Sequence, residues 1–76
     1  MKDLVTFIAT SLVDDPAAVQ VAETESDDVV VLELRVAKED LGKVIGKQGR
    51  TARAMRSLLS AAAGRDNRKA RLEIME

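Results

Sequence analysis

The chain has 76 residues, 46% apolar and 33% charged, with a formal net charge of -1. A chain this short is expected to form one domain over residues 1–76, with a single layer-on-layer core and no deep substrate cavity. It has no cysteine and no histidine, which excludes disulfides, thiolate metal sites and the usual neutral-pH general base.

Leu4, Val5, Ile8, Leu12 and Val13 recur at helical spacing with Phe7 beside them, so residues 2–13 read as an amphipathic helix. Asp14-Asp15-Pro16 ends it, because proline disfavours helical dihedrals in the residue before it. Val19 and Val21 then alternate with polar neighbours. Val30, Leu32, Leu34 and Val36 alternate more clearly, with Glu33 and Arg35 on the opposite face. These predict two strands joined as a hairpin around Ser26-Asp27-Asp28.

Leu41, Val44 and Ile45 give a helical pattern over residues 38–45, interrupted by Gly46-Lys47-Gln48-Gly49. The pattern resumes over residues 50–63. There Ala52, Met55, Leu58, Leu59 and Ala62 form an apolar stripe, and Arg50, Arg53 and Arg56 follow one another on another face. Gly64 is expected to cap this helix. Residues 65–69 form a basic loop, and Ala70, Leu72 and Ile74 alternate with Arg71, Glu73 and Met75 as a last strand. The expected fold is therefore α+β, in the order α-β-β-α-α-β. A right-handed crossover would place the helices on one face of a three-stranded sheet.

The small net charge conceals a segregation. Residues 43–71 hold nine bases (Lys43, Lys47, Arg50, Arg53, Arg56, Arg65, Arg68, Lys69, Arg71) against one acid, Asp66, a net +8. Residues 1–42 hold ten acids and three bases, a net -7. The two halves could neutralise each other on the folded surface, or the basic half could serve a polyanion. The glycine loop inside the basic half favours the polyanion: two glycines let backbone approach a phosphate closely, and the helix after Gly49 opens with unpaired N–H groups and a positive dipole end.

Catalysis has little support. The loop is not Gly-x-x-x-x-Gly-Lys-Ser/Thr and follows no strand, so it is not a nucleotide-hydrolysing P-loop. The acidic pairs Asp27-Asp28 and Glu39-Asp40 are explained by a turn and a helix start. No enzyme activity, cofactor or metal site is expected.

The order α-β-β-α-α-β with Ile45-Gly46-Lys47-Gln48-Gly49 between the two middle helices resembles the type II KH domain. Phe7-Ile8-Ala9, the run from Ser11 to Pro16 and the run from Val44 to Arg53 extend the resemblance over nearly the whole chain, to the KhpA family of small bacterial single-KH proteins. The resemblance implies single-stranded RNA binding, with residues 46–49 on the sugar-phosphate backbone and about four nucleotides in a narrow groove. It further implies a role as RNA chaperone or post-transcriptional regulator and a link to peptidoglycan homeostasis and cell length. The partner it implies is a second copy or a larger KH-containing protein.

The candidate RNA-binding residues are Gly46, Lys47, Gln48, Gly49, Arg50, Arg53, Lys43, Ile45, Val44 and Arg56. The groove is expected between the loop with its flanking helices and the edge of the second strand, floored by Leu34, Val36, Leu41, Val44 and Ile45, each of which reads as core too. Arg53 and Arg56 could equally be a solvated helix face. Phe7, the only aromatic, lies on the first helix, so no base-stacking platform is expected and binding by one copy is weak and driven by charge. The rival from another class is a scaffold that recruits a protein partner; single-stranded DNA stays open beside RNA. With no apolar run long enough for a membrane span and no signal-peptide pattern at Met1-Lys2-Asp3, a cytoplasmic protein is expected.

Overall fold

A computed structural model describes residues 1–75. Helix α1 (Lys2–Leu12) stops where expected: Val13 is extended, and Asp15, held out of helical dihedrals by Pro16, leads into a 3-10 turn at Pro16–Ala18. Strands β1 (Gln20–Glu25) and β2 (Val29–Arg35) form an antiparallel hairpin, and β3 (Lys69–Met75) pairs parallel to the other side of β2. The mixed sheet has the order β1-β2-β3.

Period-two alternation on the central strand decides which face is dry. Val30, Leu32 and Leu34 are buried, with Leu72 beside them on β3. Against this face lie Val5 and Ala9 of α1 and, from α3 (Arg50–Gly64), Met55 and Leu59, with Val36 and Val44 closing the core. Each of the valine, leucine and methionine side chains, fully buried, contributes roughly 1.5–3 kcal/mol. The fold is thus α+β in the anticipated order, with helices on one sheet face.

Two expectations are corrected. Residues 38–45 are not one helix: a 3-10 turn (Lys38–Asp40) precedes the five-residue α2 (Leu41–Ile45), and Asp40 at φ -97, ψ -4 marks the break. Gly64 does not cap α3 but is its last helical residue; the left-handed residue is Asn67 at φ 56. The Arg68 N–H donates to the Ala63 carbonyl (3.0 Å) and the Asn67 N–H to that of Gly64 (3.2 Å), a Schellman closure with asparagine in glycine's usual place. Among the described residues no helix is long and apolar enough to cross a membrane.

Candidate nucleic-acid interface

The loop between α2 and α3 is a 3-10 turn, Lys47–Gly49, with left-handed dihedrals at Gln48 (φ 59) and Gly49 (φ 74) and a positive φ at Gly46 (78). Gly46 is required by contact as well as by dihedral. A Cβ there would lie 2.2 Å from Thr51 Oγ1 and 2.7 Å from the Thr51 backbone nitrogen, so the first turn of α3 is packed directly on the loop. Lys47 and Gln48 are exposed on this turn, with Gln48 outside helical dihedrals. No acid lies in the first turn of α3, so nothing there offsets the positive end of its dipole.

Side chains reinforce this field. Arg53 Nη2 donates to the Gln48 carbonyl and Arg50 Nη2 to Gln48 Oε1, each at 3.4 Å, which gathers both guanidinium groups at the turn. Lys47 is exposed and has no ion pair among the described residues. Gly46, Lys47, Gln48, Gly49, Arg50 and Arg53 therefore converge. Ile45, 40% exposed, adds an apolar shoulder.

The other three candidate residues, Val44, Lys43 and Arg56, and most of the expected apolar floor lie elsewhere. Val44 is fully buried, as are Leu34 and, nearly, Val36, so these are core beneath the loop and have no surface to give a base; Leu41 is half-buried against them. Lys43 is engaged internally. Its ammonium donates to Asp14 Oδ2 and to Asp40 Oδ1 (3.1 Å), and these two bonds, the Asp14 bond first, hold its pKa above the ordinary lysine value. Arg56 leaves the loop and reaches toward β3, its Nη2 donating to the Leu72 carbonyl at 3.5 Å.

The expected groove wall also moves. β2 is paired on both sides through residues 30–35 and has no free edge there, so it cannot form the wall; the strand whose edge faces α3 is β3. Between α3 and that edge lies a groove of about 390 Å³ lined by Arg56, Ser60, Ala70, Arg71, Leu72 and Glu73. Alternation in residues 70–75 marks a strand but does not distinguish an edge from a centre, which is why the position of Arg71 in this groove could not be read from the sequence.

Asp40 is the buried charged residue of the site, 2% exposed. Its carboxylate does not cap its own helix; it accepts the Asp14 N–H (3.3 Å), the Asp15 N–H (3.1 Å) and the Lys43 ammonium. Burial works against its charge, but the hydrogen bonds from Lys43, Asp14 and Asp15 outweigh it and hold the pKa below the ordinary aspartate value.

Intramolecular neutralisation of the two charged halves is limited. Among the described residues, only Lys43 and Arg68 of the basic half form ion pairs, with Asp14 and Asp40 and with Glu25. Lys47, Arg50, Arg53, Arg56, Arg65, Lys69 and Arg71 do not. Cationic surface thus follows the loop, the face of α3 and the β3 edge.

Residues 2–74 match the family described as KhpA/KhpB, KH domain. The chain is 52% identical over 75 residues to the RNA-binding protein KhpA of Clostridium acetobutylicum, covering 99% of this chain and 100% of that one. It is 49% identical over 76 residues to the protein of the same name from Chlamydia trachomatis, covering 100% of this chain and 97% of that one. For that of Halalkalibacterium halodurans the identity is 50% over the full length of both. No solved structure matches the chain significantly.

Proposed function

The chain belongs to the KhpA/KhpB KH-domain family, not a family of enzymes, and from that premise we propose that it binds single-stranded RNA through its sugar-phosphate backbone. The observation that carries the reading is the convergence of Lys47, Arg50 and Arg53 on one glycine-bounded turn at the start of α3. Phosphates lie on that turn, and the strand continues along the groove between α3 and the β3 edge, where Arg56 and Arg71 follow it. The relatives named for RNA binding support RNA over DNA as the ligand.

Action in the cytoplasm as an RNA chaperone or post-transcriptional regulator, and the link to peptidoglycan homeostasis and cell length, extend this reading on the family resemblance alone. So does pairing with a second copy or a larger KH-containing protein, for which the exposed Leu58 and Phe7 offer apolar surface. Those two side chains also favour a scaffold reading, in which the fold chiefly recruits a protein partner.

Replacing Lys47 and Gln48 by aspartates separates the two. RNA crosslinking is expected to collapse while partner capture survives; unchanged RNA recovery would refute the RNA reading. Binding through three or four phosphates predicts a slope of log K on log salt of about -2 to -3, at roughly -0.7 per contact. A flat response to salt would exclude phosphate contacts as the main source of affinity.

A further inference from the structure

The geometry points to Asp40 as the positioning residue of the loop: its buried carboxylate ties α2 to the connection after α1 and so fixes the direction in which residues 46–49 present their amides. This rests on the function proposed above and adds a residue that touches no ligand. α2 has five residues, too few to hold a helical axis unaided. Val44 and the half-buried Leu41 seat one side of it on the core, and non-directional apolar contact leaves its tilt to be set by something else.

The second attachment is polar. Lys43, one residue before Val44, donates to Asp40, and Asp40 accepts the amides of Asp14 and Asp15, in a segment that the chain reaches 25 residues earlier. The Lys43 ammonium also grips Asp14, so the connection closes from both sides. α2 runs straight into the loop, its last turn ending in the Gly46 N–H bond to the Gly42 carbonyl (2.9 Å). Gly46 is in turn packed against Thr51, so any tilt of α2 passes to the turn without slack.

The replacement Asp40→Asn makes this falsifiable through the sign of its effect. It removes a negative charge from a protein that binds a polyanion, so the field alone would tighten binding. Loss of positioning weakens it instead, by about threefold to thirtyfold for a residue acting at one remove. The measurement is titration of a short unstructured oligoribonucleotide with the full chain, at a temperature where circular dichroism shows both proteins folded. Weaker binding is the expected result; equal or tighter binding by folded D40N overturns the inference.

Lys43→Met gives a second test should D40N not fold. Affinity is expected to fall while the salt slope is kept; a slope reduced by about 0.7 would mean that Lys43 touches a phosphate itself, and would overturn its assignment to the clamp. Backbone order parameters from 15N relaxation at residues 47–49 test the clamp without any RNA. They are expected to drop in both variants, and unchanged values would refute the inference. Failure of the wild type to bind RNA would instead remove the proposed function and leave this measurement standing.

Discussion

Gly46 and Gly49 are equivalent in a sequence motif and unlike in the folded chain. Gly49 takes left-handed dihedrals with nothing near its missing side chain, so Gly49→Ala is expected to cost about 1–2 kcal/mol, the strain of that conformation alone. Gly46, at φ 78 and ψ 167, lies where only glycine is comfortable and abuts Thr51. Gly46→Ala adds overpacking to strain and is expected to cost roughly 2–5 kcal/mol. Chemical denaturation of both variants checks the order. Trimming Thr51 to alanine should not rescue Gly46→Ala, because the Thr51 backbone nitrogen obstructs the new Cβ as well. The exposure of Lys47 was legible because a base between loop glycines needs no tertiary information. Lys43 was not, since the Asp14 that holds it lies 29 residues away.

At the level of elements, α1, β2 and α3 could be read from periodicity because each buries a regular face. The end of α3 could not. Gly64 and Asn67 are both residues that tolerate a left-handed turn, and the hydrogen bonds from Asn67 and Arg68 select the second. Arg68 holds that turn against the β1–β2 hairpin, donating to Glu25 Oε1 (2.9 Å) and to the Ser26 carbonyl, while the Lys69 N–H donates to the Asp28 carbonyl (2.8 Å). Asn67→Gly is therefore expected to be neutral or slightly stabilising, and Asn67→Val to lower stability by about 1–2 kcal/mol, read as thermal midpoints. The split of residues 38–45 was also hidden, because the carboxylate that interrupts the run answers to amides at the far end of α1.

For the molecule as a whole, the segregated charge was visible in composition, whereas the small amount of mutual neutralisation required coordinates. The buried exception, Asp40, predicts an acid limb. Its folded pKa lies below the ordinary 3.8, so the unfolded chain takes up the proton more readily. The stability it contributes is complete above about pH 4 and is lost as pH falls through the folded value. Urea midpoints followed from neutral pH downward should decline over that range in the wild type and more gently in D40N; parallel declines would show that other carboxylates govern acid unfolding.

The sheet order β1-β2-β3 leaves two strands with one side unpaired, the ordinary starting point for unwanted strand addition. At β1 the residues opposite Leu32 and Val30 are Glu23 and Glu25, carboxylates turned to the dry side and answered by the amino-terminal residues and Arg68. At β3 a guanidinium bolts the Leu72 carbonyl. On the RNA reading proposed above, that arginine exchanges a long bond to a neutral carbonyl for a shorter, charge-assisted one to a phosphodiester.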